Sequence, residues 1–288
     1  MKYRFVAKVQ SAYPVKTVCR MLEISRSGYY AWKGRKPSQR EEANQRLIEH
    51  IRRIHQLSRK TYGSPRVHVE LRKQGWRCNT NRVARLMRQE NLVGQRKYRK
   101  VITTNSKHSY PVAPNLLNRE FEAQKPNQKW VADITYIPTA EGWLYLAGVM
   151  DLYSRKIVGW EMSGEMKTDL VENALRMALY QRQPKSNLLH HSDRGSQYAS
   201  NQLQTILRAN RIQVSMSRKG DCYDNSVMES FFSTLKCEWV HFQKYESRAQ
   251  ARTDIFSYIE AFYNTVRIHS TLGYLSPKEF EAKSFLSP

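Results

Sequence analysis

Three acidic residues stand where an acid is conspicuous. Asp133 interrupts the apolar run WVADITYI, Asp193 follows the run NLLHHS at the turn DRGSQY, and Glu229 falls in the first turn of the helical stretch SVMESFFSTLK. An ionised carboxylate among apolar side chains costs several kcal/mol unless positive charge is held against it. Asp133 therefore either pairs with a cation, Lys129 or Arg155, or binds a metal. Asp193 sits at a strand end of the kind where open α/β sheets place their ligands. Taken singly, each acid also has a structural use: Glu229 as the partner of Ser226 in a capping box, Asp193 as a turn residue before Gly195, Asp133 as half of an ion pair. Together they are three hard oxygen donors without His or Cys, a set that suits Mg²⁺ or Mn²⁺ and not zinc. Two such ions about 4 Å apart activate an attacking water or 3′-hydroxyl and stabilise the departing oxygen of an in-line phosphoryl displacement.

The elements that must position these acids are legible from periodicity. KWVADITYIPT, GWLYLAGVMDLY and KIVGWEMSGE read as three strands in an antiparallel meander. DLVENALRMALYQ follows as an amphipathic helix, then the strand NLLHHSD, the helix NQLQTILRANR and the short strand IQVSMS. The order β-β-β-α-β-α-β predicts an α/β domain with a mixed five-stranded sheet and flanking helices. Trp130, Trp143 and Trp160 lie in the strands and are expected in the core. A long helix over 247–270 carries Ile255, Ile259, Phe262 and Tyr263 inward, and His269 anchors its end. His190 and His191 precede Asp193, where they either assist proton transfer or hold a strand edge. Residues 219–225, KGDCYDN, read either as a mobile loop beside the acids or as a surface turn.

The N-terminal half has a different texture. Residues 1–125 carry 29 Lys+Arg and 8 Asp+Glu, a net of +21, whereas residues 126–288 carry 19 and 17, a net of +2. So uneven a charge marks the first half as the footprint on a polyanion, in the first place nucleic acid. Residues 14–36 read as a short helix-turn-helix whose second helix presents Arg26, Ser27, Tyr29 and Tyr30. Leu47, Ile48, Ile51 and Ile54 form the stripe of a further helix. Ser64-Pro65 starts the next, with Arg66 inside it as a DNA contact, and Gly75 stops it. Asn79-Thr80 caps another, whose Val83, Leu86 and Met87 face inward while Arg82, Arg85 and Arg88 point to the DNA backbone. The expected division is 1–39 helix-turn-helix-like, 40–94 helical and DNA-binding, 95–124 linker, and 125–288 catalytic core with a C-terminal helix.

With 35 residues between Asp193 and Glu229, the three acids resemble the D,D-35-E pattern of transposases and retroviral integrases, and Lys236 resembles the basic residue that follows it. NQKWVADITYI, GWLYLAGVMDLYSRKIVGW, HHSDRGSQYAS, SMSRKGDCYDNSVMESFFSTLK and YNTVRIHSTLGYLSPKEF resemble the second open-reading-frame product (OrfB) of the insertion-sequence-three family, and TYGSPRVHVELRKQG with NRVARLMRQ resembles the helical domain that precedes its core. The resemblance implies a ribonuclease H-like fold, Asp133, Asp193 and Glu229 as catalytic metal ligands for Mg²⁺ or Mn²⁺, and Lys236 as a DNA contact. It implies cleavage of element ends and joining of a 3′-hydroxyl to target DNA. It further implies terminal inverted repeats as the DNA partner, an upstream open-reading-frame product, fused or separate, and a homo-oligomer that pairs two ends.

Cys19, Cys78, Cys222 and Cys237 have neither zinc spacing nor a disulfide framework. No run approaches the ~20 apolar residues of a membrane span, and a cytoplasmic chain is expected. Two other readings compete: a ribonuclease H or junction resolvase with the same metal chemistry, and a DNA-binding regulator that keeps the core only for assembly.

Overall fold

The computed structural model describes residues 2–97, 111–185, 187–218 and 221–286; part of the expected linker, 98–110, and Lys219-Gly220 of the expected loop lie outside them. The chain divides into two compact units, residues 1–53 and 54–288.

In the first unit, α1 (Lys2–Val9), α2 (Val15–Met21) and α3 (Arg26–Lys33) enclose a small core of Val6, Val18, Cys19 and Tyr29. Ser25 caps α3 by accepting a hydrogen bond from the Gly28 N–H at 3.3 Å, which satisfies one of the open donors of a helix start. The two short helices expected over 14–36 are present, with one correction: Tyr29 is fully buried and cannot reach DNA. Arg26, Ser27 and Tyr30 are exposed. α4 (Gln39–Leu57) buries Leu47 and Ile51 as its stripe requires.

The second unit opens with α5 (Ser64–Lys73) and α6 (Thr80–Gln89). Pro65 occupies the first turn of α5, and Gly75 follows its end with φ +85°, a backbone conformation that favours glycine. Asn79 caps α6 at 2.7 Å, Val83, Leu86 and Met87 are buried, and Arg85 and Arg88 are exposed. These helices are tied to distant parts of the same unit. The Tyr62 hydroxyl donates to the Val266 carbonyl at 3.0 Å and accepts from the Ile268 N–H at 2.8 Å. The Arg59 guanidinium lies 4.7 Å from the Trp239 ring centre and donates to Ser257 Oγ at 2.7 Å.

The sheet comprises β1 (Lys129–Thr139), β2 (Gly142–Asp151), β3 (Ile157–Ser163), β4 (Leu189–Ser192) and β5 (Gln213–Met216), in the order β3-β2-β1-β4-β5. The first three are antiparallel, and β4 and β5 run parallel to β1. This is the mixed ribonuclease H-like arrangement. α7 (Thr168–Arg182) packs on one face, and Gly159 of β3 permits the approach, since a Cβ there would collide with the Ala174 carbonyl and Ala178. α8 (Ser196–Ala199) and α9 (Asn201–Ala209) complete that layer, and the shared core includes Trp130, Ala132, Val149, Leu175 and Leu203. α10 (Ser226–Glu238) crosses the other face.

Three expectations are corrected here. Trp143 is 48% exposed, its ring 4.8 Å from that of Tyr136; it lies at the hairpin end of β2, where the strand's first two residues are both exposed. Trp160 is half-buried, its indole N–H donating to Glu260 at 2.7 Å. The helix expected over 247–270 is α11 (Arg248–Phe256) continued by a π-helical turn, Ser257–Tyr263, where it ends. Ile255, Ile259, Phe262 and Tyr263 do face inward. Just beyond that turn the Asn264 side chain grips the Ile157 backbone on both sides, at 2.9 and 3.0 Å. α12 (Pro277–Leu286) follows. Among the described residues no helix is long and apolar enough to cross a membrane.

Candidate active site

Asp133 and Asp193 are brought together by strand register. β1 and β4 pair in parallel as far as Ala132 opposite Ser192, so the next residue of each chain is an aspartate at the same edge. Glu229 comes from α10. Two contacts hold that helix: Asn225, just before it, donates to the Ala132 carbonyl at 3.1 Å, and Met228 packs on Gly148, the register partner of Asp133. A Cβ on Gly148 would stand 2.5 Å from the Met228 methyl group, so glycine lets the first turn of α10, with Glu229, close on the strand that carries Asp133.

The electrostatics identify what the three acids lack. Asp133 has its proton affinity raised well above the usual carboxylate range by burial first, then by Asp193 and Glu229; the Ile134 N–H and Lys236 oppose the shift. Glu229 is raised by desolvation and by Asp193. Elsewhere buried acids meet guanidinium groups: Asp151 with Arg182, Asp224 with Arg218 and Arg119, Glu238 with Arg267. Asp133 and Glu229 form no ion pair among the described residues. Lys129 bonds to Glu120 instead, and Arg155 forms no ion pair among the described residues, so the ion-pair role considered for Asp133 is not realised there. The capping box is not realised either: the residue before the helix is Asn225, no side chain caps it, and Glu229 extends into solvent. Asp193 does serve its turn, accepting the Gly195 N–H at 2.9 Å.

Like charges near one another raise one another's proton affinity, and an all-oxygen set of this kind fits a hard divalent cation. The fit is one of donor chemistry: among the described residues no three His, Cys, Asp or Glu side chains are gathered closely enough to hold a metal ion as they stand. Lys236 lies on the same helix, its ammonium 4.5 Å from the centre of the Tyr136 ring and close enough to Asp133 for mutual attraction.

His190 and His191 hold no strand edge, since β4 lies inside the sheet between β1 and β5. His191 is buried, its two ring nitrogens meeting Ser215 and Ser217 at 2.8 and 3.2 Å, and burial pulls its pKa down to about 4. His190 is likewise buried, with its pKa also down to about 4. His269 packs edge-on against Tyr263, and burial together with Arg267 takes its pKa to about 2.

Two features escaped the sequence reading. Tyr198 of α8 is buried with no hydrogen bond to its hydroxyl among the described residues, and after burial the charges of Asp133 and Asp193 do most to raise its pKa. Asp224 is fully buried, receiving Arg218, Arg119 and Asn115. The sequence showed both as ordinary polar positions, since their partners lie up to 109 residues away.

Models of the integrase core domain match residues 123–222 and 210–277, and a model of an HTH-like domain matches residues 42–100. The transposase InsF of insertion sequence IS3A from Escherichia coli (strain K12) is 43% identical over 286 residues, 99% of each chain. The chain belongs to the IS3 transposase family. It is a DDE-type transposase, a polynucleotidyl transferase that acts in DNA transposition. The 31 kDa protein of insertion element IS600 from Shigella sonnei is 46% identical over 266 residues, 92% of this chain and 98% of that one. Among solved structures, the HTLV-2 integrase catalytic core domain in complex with magnesium aligns with 55% of this transposase and 98% of its own chain, at 13% identity and a TM-score of 0.41.

Proposed function

We propose that Asp133, Asp193 and Glu229 are the catalytic acids of this transposase and that they hold Mg²⁺, with Mn²⁺ as a substitute. The observation that carries the reading is the charge balance at Asp133, where other deep acids have a guanidinium and this one has two further carboxylates. When bound, the ions supply activation of the attacking water or 3′-hydroxyl and stabilisation of the departing oxygen. The chain's own groups orient the site. The Ile134 N–H fixes Asp133 Oδ1 at 2.8 Å, and the Gly195 N–H fixes Asp193 Oδ1. Lys236, steadied over Tyr136, presents an ammonium that holds a DNA phosphate near Asp133.

Arg26 in the first unit and Arg82, Arg85 and Arg88 on α6 supply phosphate contacts, which position the duplex without reading its sequence. Arg66 contributes less freely, because it pairs with Glu238 at 3.6 Å and lies over the Tyr62 ring. The DNA partners are the terminal inverted repeats and the target. An upstream open-reading-frame product and a second copy of the chain join the assembly, which acts in the cytoplasm. The four-part division at 39, 94 and 124 belongs to the same reading.

Strand transfer of a labelled element end by the purified chain tests the site. The expected result is joined product from wild type with Mg²⁺ and none in EDTA, with Asp193→Asn inactive but still able to bind DNA. Joined product from Asp193→Asn would remove the assignment. Binding without product from wild type, restored by adding the upstream product, would establish that partner.

A further inference from the structure

On the flank of α10 away from Glu229 lies an open cleft of about 640 Å³. Four guanidinium groups line it, those of Arg66, Arg96, Arg155 and Arg267, against a single carboxylate, Glu238. Arg267 and Glu238 are joined by two bonds, at 2.7 and 2.8 Å, and Arg66 leans on the same carboxylate. The one acid is thereby consumed. Arg155 has neither a hydrogen bond nor an ion pair for its guanidinium among the described residues; it is half-buried, burial lowers its proton affinity, and Tyr263 and Glu122 oppose this only from beyond ion-pair distance. A desolvated guanidinium without a close partner is costly, and its planar fork of donors matches phosphate oxygens.

The remaining wall has the same chemistry. Ser226, Ser230 and Thr234 recur at four-residue steps, so α10 presents a row of hydroxyls to the cleft. A site for an apolar small molecule would be lined mainly by hydrophobic side chains; hydroxyls and cations instead suit a polyanion's backbone. The cleft reaches Met150, two residues along β2 from Gly148 and hence on the sheet face to which Asp133 belongs. α10 lines the cleft with one flank and carries Glu229 on another, and a helix with side chains is about 10 Å across.

We propose that this cleft binds a backbone phosphate of the DNA strand being cut or joined, with Arg155 as its principal ligand, so that the strand passes over α10 between the cleft and the acids. The inference rests on the transposase reading of those acids for the identity of the strand, but not on their activity. Phosphate contacts of this kind fix register, and one on the far flank of the helix that carries Glu229 would align the scissile bond with the carboxylates.

Phosphate scanning tests it. Element-end duplexes, each with one neutral methylphosphonate in the transferred strand, are titrated against the full chain in EDTA, so binding is read without turnover. The expected result is one position near the cleaved end, within about three nucleotides given a helix about 10 Å wide, where the modification weakens wild type. Loss of one charge-assisted contact corresponds to about tenfold. At that position Arg155→Gln should show no further loss. Ser230→Glu, which adds a carboxylate at an exposed part of the wall and removes no buried group, should weaken binding of the unmodified duplex by a similar factor, and it decides the matter if Arg155→Gln does not fold. Identical interference profiles for wild type and a folded Arg155→Gln, or wild-type affinity in Ser230→Glu, would overturn the proposal. Failure of wild type to join ends in Mg²⁺ would count against the carboxylate site alone.

Discussion

At the scale of single residues, the deciding feature of Asp133 is that its charge is unwelcome in the folded chain. Its folded pKa is raised by burial, Asp193 and Glu229, so the contribution to stability is fully present below the unfolded value of about 3.9 and is lost as pH rises through the raised folded value. At neutral pH in EDTA the wild-type chain therefore bears a cost that an amide would not. Asp133→Asn is expected to melt a few degrees higher than wild type at pH 7.5, with the difference shrinking toward pH 4, while strand transfer is abolished. Mg²⁺ should raise the melting temperature of wild type much more than that of the variant, since only the intact set gains from binding. A variant that melts lower at pH 7.5 and gains as much from Mg²⁺ would mean that Asp133 is an ordinary paired acid. Lys236 has the complementary position: burial lowers its proton affinity and Asp133 opposes this. Lys236→Gln should weaken binding and joining together, a loss of substrate grip more than of chemistry.

At the scale of elements, α10 must be held at one height over β1 and β2, and the devices that do so lie just before it. Asp224 is kept well below the usual carboxylate range by Arg218 and Arg119 despite burial. Its sign is the reverse of that of Asp133, for the stability it contributes is present above the unfolded pKa and is lost as pH falls. Because Arg218 and Arg119 are nearly half exposed, removing the charge they hold costs about 1 to 3 kcal/mol. Asp224→Asn is expected near the lower end of that range by chemical denaturation, with strand transfer falling further than DNA affinity because α10 loses its anchor. Equal losses in both would make Asp224 merely structural. Gly159→Ala, which forces a methyl group into the Ala174 carbonyl, should cost about 1 to 3 kcal/mol while leaving the acids in place. The strands were legible because WVADITYI and GWLYLAGVMD are short apolar runs rich in aromatic and β-branched residues, and the register that brings Asp133 to Asp193 is that of β1 on β4. Less legible were features set by neighbours distant in sequence. Trp143 looks like core by type, yet it falls at an exposed hairpin end. Arg66 looks like a DNA contact by its basic surroundings, yet Glu238 and Tyr62 take most of it. Ser226 matches a capping box, yet the 3₁₀ turn Cys222–Asn225 places it already inside the helix. The π-helical turn at Ser257–Tyr263 leaves no periodic signature that a single sequence displays.

For the molecule as a whole, the positive excess is shared by both units, while the three acids lie in the second alone. Residues 1–53 carry 13 Lys+Arg and 4 Asp+Glu, a net of +9, in a unit that contains none of the three acids. If that unit supplies phosphate contacts, its removal should lower the slope of log affinity against log salt by about 0.9 for each phosphate it neutralises. Residues 54–288 alone are therefore expected to bind DNA more weakly and with a flatter salt response than the full chain. The same fragment retains Asp133, Asp193 and Glu229, so its melting temperature should still rise with Mg²⁺, by the same mass action as in the intact chain. Measuring both quantities on one fragment separates the two halves of the reading. An unchanged salt slope would take the DNA footprint away from the first unit, whereas loss of the Mg²⁺ response would mean that the acid site depends on residues the sequence places far from it.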